Sequence, residues 1–304
     1  MKKTKLLFTI LIGTFMVLIS CSNDDDDDEN LITTQNLISR SEEYYKNNSL
    51  IFSLKFNFQY GKLISIRDSD DRYNKILYEG DLISKILEFD TNGNLEWTTT
   101  FTYNNSDELI QKKVIPSPNN SMTDVSRQKN FTYEENIIQS ESSWSDGGFH
   151  KNTISLNNNN YIIEDKMFNL DNELLIQRLF KYVNNNLTNQ TIKNSKNKIT
   201  YEGTYNYLNK QSTKEYRYNE YLFGDNWKNN SSLNKQFGLG QIKPYEISKN
   251  YISDYYTHNL ISNTSRTGTF SYEFDSNDYI TKQTENITWS TGEIYKIITT
   301  YRYE

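Results

Sequence analysis

One short phrase recurs along this chain and limits what it can fold into. It is an aromatic residue, a polar residue and a tyrosine, then a polar turn, then a Leu/Ile pair that opens a second alternating segment. The clearest copies are Phe101-Thr102-Tyr103 before Leu109-Ile110, Phe131-Thr132-Tyr133 before Ile137-Ile138, and Phe270-Ser271-Tyr272 before Tyr279-Ile280. Others are Phe58-Gln59-Tyr60 with Leu63-Ile64, Leu77-Tyr78 with Leu82-Ile83, Ile154-Ser155-Leu156 with Ile162-Ile163, and Phe180-Lys181-Tyr182 with Leu187. The chain ends on Tyr301-Arg302-Tyr303. Residues i and i+2 of a strand share a face, so Phe101 and Tyr103 lie together while Thr102 faces away. Runs such as Asn104-Asn105-Ser106-Asp107 and Asp90-Thr91-Asn92-Gly93-Asn94 tolerate turn backbones. Each phrase therefore reads as a hairpin of about 18 to 30 residues, repeated as an array of stacked units.

Composition points the same way. The 304 residues include no alanine, 40 Asn, 24 Tyr and 15 Phe, which disfavours helix and favours pleated strands joined by turns. A biased base composition would also enrich Asn, Lys, Ile and Tyr and remove Ala, so the periodicity carries the assignment. It predicts an all-β domain over residues 49–304, an array of antiparallel hairpins forming a large curved sheet or a wide soluble barrel. A membrane-spanning barrel keeps one face apolar along strands of about 9 to 11 residues, whereas Glu108 to Val114 places charges on both faces. Two regions leave the pattern. Residues 31–48, with Glu42-Glu43-Tyr44-Tyr45, read as a short helix or linker. Residues 224–250, with Phe237-Gly238-Leu239-Gly240-Gln241 and Pro244, read as an irregular loop where function would sit, or as a plain crossover.

The N-terminus reads as an export address. Lys2, Lys3 and Lys5 precede an apolar run from Leu6 to Ile19, the layout of a signal peptide over residues 1–20. Cys21 is the only cysteine, so it has no partner within the chain for a disulfide. Leu18-Ile19-Ser20-Cys21 resembles the bacterial lipobox, which implies lipidation of Cys21 and a membrane anchor. Each buried methylene contributes about 0.8 kcal/mol, so several acyl chains hold stably. Residues 21–30 then form an acidic tether: Asp24 to Asp28 and Glu29 repel one another and bury nothing. Acids placed directly after the cysteine resemble the surface-export signal of Bacteroidetes lipoproteins, which implies display on the outer membrane facing the medium. Of the 33 basic and 39 acidic residues, setting aside three leader lysines and six tether acids leaves 30 against 33. A domain so near neutrality shows no electrostatic footprint for nucleic acid.

The phrase itself carries a second resemblance. Phe270 to Lys282, with its tyrosines and its Asp275-Ser276-Asn277-Asp278 turn, looks like the Tyr-Asp repeats of Rhs-type shells. It looks still more like a family of uncharacterised Bacteroidetes surface lipoproteins with a porin-like β fold, over roughly residues 50–304. Asp seldom follows Tyr directly here and the spacing drifts. The resemblance implies architecture and brings no activity with it.

Catalytic material is sparse. His150 and His258 are 108 positions apart with no metal-ligand spacing, and with Cys21 lipidated no thiolate remains, so zinc and Cys–His chemistry have little to build on. Gly238 and Gly240 lack the rest of a phosphate-binding motif. Asp68 to Glu79 fails as a calcium loop because Tyr73 stands at the glycine position, and Asp90 to Phe101 fails because Phe101 stands at the twelfth. No cofactor and no metal are expected. The best functional lead is Trp97, Trp144, Trp227 and Trp289, which could stack on sugar rings if exposed on a concave sheet, or simply cap hydrophobic strips at hairpin ends. The reading is a non-enzymatic surface-anchored binding or structural module for a polysaccharide or protein ligand. The alternative is a surface glycan hydrolase using paired carboxylates. Replacing Cys21 by Ala is expected to abolish incorporation of labelled palmitate and to move the protein from the membrane to the soluble fraction. Labelling that survives the change would remove the anchor assignment.

Overall fold

The computed structural model describes residues 35–118, 125–213, 216 and 248–304. The leader, Cys21, the tether, Trp227 and the Gly238–Gly240 loop lie outside the described residues. Residues Gln35–Glu304 form one compact unit, with eighteen strands among the described residues. In chain order these are β1 (Leu37–Lys46), β2 (Ser49–Gln59), β3 (Lys62–Asp68), β4 (Tyr73–Glu79), β5 (Leu82–Phe89) and β6 (Leu95–Tyr103). Next come β7 (Leu109–Pro116), β8 (Arg127–Glu134), β9 (Ile137–Trp144), β10 (Phe149–Leu156), β11 (Ile162–Phe168) and β12 (Leu174–Val183). The last six are β13 (Asn186–Asn194), β14 (Ile199–Gln211), β15 (Asn250–Asn259), β16 (Thr264–Phe274), β17 (Ile280–Trp289) and β18 (Ile294–Tyr303). Every strand pairs antiparallel with its neighbours in sequence, and β1 pairs with both β2 and β18, so the sheet is a closed barrel. Asn36 and Glu304 exchange backbone hydrogen bonds at one end, which we call the lower end.

The two faces of the wall differ sharply. On β2, Leu54, Phe56 and Phe58 are buried while Lys55 and Gln59 are exposed; on β18, Ile297, Thr299 and Tyr301 are buried while Thr300 and Arg302 are exposed. No described element lies outside this single layer, so the covered face is the lumenal one. Outward positions include Lys75, Lys113, Asn130, Gln139, Thr269 and Asn286. Single apolar residues such as Ile115 and Ile163 interrupt this polar wall without making the continuous apolar band that a lipid-facing barrel carries.

Asparagine and aspartate shape the hairpins by one repeated device. The side chain of Asp68, Asp90, Asn104, Asn157, Asn194 or Asp275 accepts the backbone N–H groups two and four residues on. The residue at the fourth place has a left-handed backbone: Asp71, Gly93, Asp107, Asn160, Asn197 and Asp278 have φ between 58° and 80°. This is the three-residue hairpin loop, a type I turn closed by a residue in αL, which Asn, Asp and Gly adopt with least strain. The acids of both candidate calcium loops, Asp68 and Asp90, are therefore turn caps.

Aromatic phrases stitch the lower interior together. Tyr78, Tyr103, Tyr133 and Tyr272 each donate the hydroxyl to a backbone carbonyl on the preceding strand, those of Leu63, Ile83, Leu109 and Ile252. A buried phenol thus keeps its hydrogen bond while its ring fills the core. Phe56, Leu187, Tyr251 and Ile280 are entirely buried there. The pairing slips by one residue at the aromatic in β2, β4, β6, β12 and β16, a bulge that tightens the twist where the chain turns. The first copy of the phrase departs from its reading: Tyr60 lies in the Tyr60-Gly61 turn, 85% exposed, because Phe56 and Phe58 already occupy the two inward places.

Residues 37–46, read from sequence as a helix or linker, are strand β1, the stave that closes the barrel. The reading failed because the inward residues of β1 are charged. Arg40 pairs with Glu42 at side-chain exposures of 7% and 8%, Tyr44 donates its hydroxyl to Glu42, and the Arg40 guanidinium lies 5.2 Å from the Phe56 ring centre and 5.8 Å from that of Tyr301. Removing one partner of a buried ion pair leaves an uncompensated charge. Arg40→Ala is accordingly expected to cost about 3–5 kcal/mol in chemical denaturation, whereas joint Arg40→Met and Glu42→Leu is expected to be nearly neutral.

Candidate functional site

The register carries charged and aromatic side chains to the upper half of the lumen. Trp97 shares the inward face with Thr99 and Phe101, opposite Glu88 and Pro116; Trp144 shares it with Ser140, opposite Arg127; Trp289 shares it with Glu285 and Ile287, opposite Arg266. All three described tryptophans therefore point inwards at the end remote from Asn36 and Glu304. Trp97 and Trp144 stand three strands apart on one arc, and Trp289 lies seven strands from Trp97 round the barrel, so they share an end without forming one cluster. Two of them have a ring or cation beside them: Trp144 meets the His150 ring edge-on at 5.1 Å, and the Arg266 guanidinium lies 5.6 Å from the Trp289 ring centre.

Among the described residues, four carboxylates face this interior. Glu42 is held by Arg40 and Tyr44, Asp165 by Arg178 at 2.7 Å and Asn152 at 3.1 Å, and Glu285 accepts the Tyr255 hydroxyl at 2.9 Å. Glu88 is different. Burial pushes its carboxyl up to about 7, opposed by the attraction of Lys112 and helped by the nearby Glu96. Gly268 belongs to the same packing, since a side chain there would collide with the Tyr255 ring.

The cations are the feature that sequence reasoning passed over. Lys112 and Lys129 face each other directly on β7 and β8. Burial pushes the Lys112 ammonium well below the lysine range, with Lys129 adding repulsion, and burial lowers Lys129 to about 8 against the attraction of Asp165. The signal was present as parity, because Lys112 stands two residues before inward Val114. His150 also faces inwards, and its Nδ1 is buried without a hydrogen-bond partner among the described residues. His258 faces outwards, its Nε2 3.3 Å from the Asn263 amide oxygen. Among the described residues no group of three His, Cys, Asp or Glu is placed to hold a metal ion.

No protein-family model and no curated protein match the chain. Solved structures resemble it distantly. A porin-like protein from Bacteroides vulgatus ATCC 8482 aligns with a TM-score of 0.41 at 11% identity, over 89% of this chain and 99% of that one. A porin-like protein from Bacteroides uniformis ATCC 8492 aligns with a TM-score of 0.34 at 11% identity, over 88% and 96%. A chain of the TcdB2-TccC3-Cdc42 structure aligns with a TM-score of 0.25 at 10% identity, over 86% of this chain and 15% of that one.

Glu88 makes the stability depend on pH. Its folded value lies above the unfolded one, so the folded state favours the protonated form, and stability present below about 4.5 is lost as pH rises through about 7. Glu88→Gln is expected to remove a decline on the order of 2 kcal/mol between those limits, read as the change in urea midpoint with pH.

Proposed function

We propose that this chain is a lipid-anchored binding module displayed on the outer membrane, with its barrel standing in water and its ligand taken at the tryptophan-bearing end. The observation that carries this is the sidedness of the wall: polar residues cover the outside, and the described tryptophans face the lumen at one end. The ligand is a saccharide whose rings stack on Trp97 and Trp144, with polar groups of the upper lumen orienting it. A binding role fits better than hydrolysis because three of the four inner carboxylates are committed to Arg40, Arg178 and Tyr255.

The mature chain with Cys21→Ala is expected to stay monomeric in buffer without detergent. Titrating it with mixed polysaccharides is expected to quench tryptophan fluorescence, and Trp97→Ala and Trp144→Ala each to reduce the change. A need for detergent would favour a membrane-spanning barrel, and indifference to every polysaccharide would remove the saccharide.

A further inference from the structure

The inner face of β7 to β10 holds polar groups that the protein leaves without partners. One continuous cross-strand row runs Lys112, Lys129, Ser142, His150. Lys112 is 5% exposed. Among the described residues neither lysine forms an ion pair or a side-chain hydrogen bond, Lys129 having only the Phe131 ring at 5.2 Å. Two carboxylates act on the pair from a distance: Asp165 on Lys129, already engaged by Arg178 and Asn152, and Glu88 on Lys112, itself pushed towards its neutral form by burial. Ser140, one inward step below Ser142, is 2% exposed, and its hydroxyl lacks a hydrogen-bond partner, as does Nδ1 of His150. On the rim side, the inward-facing Arg127 stands two residues above Lys129, between the strands that carry Trp97 and Trp144, and is exposed to solvent.

Residues directly opposite in an antiparallel pair have Cβ atoms about 5 Å apart, and like charges so placed repel. Burying them without a counter-ion costs more. A sheet that needed only packing at these two places would be served better by Leu or Met. An anion between the ammonium groups removes both penalties and gives the Ser140 hydroxyl an acceptor.

We infer that this row is a binding site for an oxyanion, the carboxylate or sulfate of an acidic saccharide, gripped by Lys112 and Lys129 with Ser140 donating its hydroxyl. The route in through the tryptophan-bearing end rests on the function proposed above; the anion chemistry rests on the lysines alone.

The test titrates the mature Cys21→Ala chain by calorimetry with sodium sulfate and with glucuronate, using sodium chloride to subtract ionic strength. Saturable binding of both, in mutual competition, is expected, weakened about tenfold or more in Lys112→Met and in Lys129→Met. Lys113→Met, on the outer face, is expected to change nothing. Either inward variant removes a buried charge and is expected to fold with a raised melting temperature; two of them keep the test available should one misfold. The site is overturned by no binding of either anion, or by binding that both inward variants retain. If neutral polysaccharides quench tryptophan while the anions leave no heat, this inference fails and the saccharide reading stands. If the anions bind while no polysaccharide touches Trp97 or Trp144, the reverse holds.

Discussion

Everything in this fold depends on the antiparallel pairing of β1 with β18, which turns a long meander into a wall without edges. An open sheet of eighteen strands would present two unpaired backbones to any passing strand. Closure removes both and also decides which face is core. Once β1 joins β18 to β2, Leu54 and Phe56 on one side and Ile297 and Tyr301 on the other are sealed inside, with Arg40 lying between the rings of Phe56 and Tyr301. The apolar side of each hairpin is legible locally, but its burial exists only in the ring.

That division explains what the sequence could and could not reveal. Hairpins are local: Phe131 and Tyr133 pair within a few residues of Ile138, and Asn104 caps its own turn, so pattern and turn chemistry were sufficient. Closure is not local. The partners of β1 across the seam lie about 250 residues away or more, and its inward face carries Arg40 and Glu42 in place of the apolar residues that announce a strand, so the segment resembled a polar helix or linker. Inward lysines were hidden for the same reason. On β7, Lys112 and Lys113 look alike in sequence, yet one is buried beside Lys129 and the other is exposed; only the register, set by the turns on either side, tells them apart.

The interior is graded along the barrel axis. At the lower end tyrosine hydroxyls end on strand carbonyls and aliphatic side chains close the space, so that end is a core in the ordinary sense. Towards the upper end the same inward positions hold Glu88, Lys112, Lys129, Arg127, Arg266 and three tryptophans. Eighteen strands enclose more room than a small barrel's side chains can fill. A chain that needed only stability would repeat its lower layers upwards, and this one changes chemistry half-way.

Buried charges in a sheet are usually structural, and the barrel itself supplies the comparison. Arg40 has Glu42, Arg178 has Asp165, and Glu285 has the Tyr255 hydroxyl. Each of those charges has a partner on its own strand or within two strands of it, using residue types that are abundant throughout the chain. Lys112 and Lys129 were given each other, in the one arrangement that cross-strand electrostatics penalises most directly. Glu88, two strands away on β5, acts on Lys112 from a distance but forms no ion pair with it among the described residues and is itself pushed towards neutrality by burial, so it leaves the two lysines short of a counter-charge. Arg40 and Arg178 each have a carboxylate beside them whereas Lys112 and Lys129 have each other, the arrangement expected of a site shaped around a negative group that comes from outside.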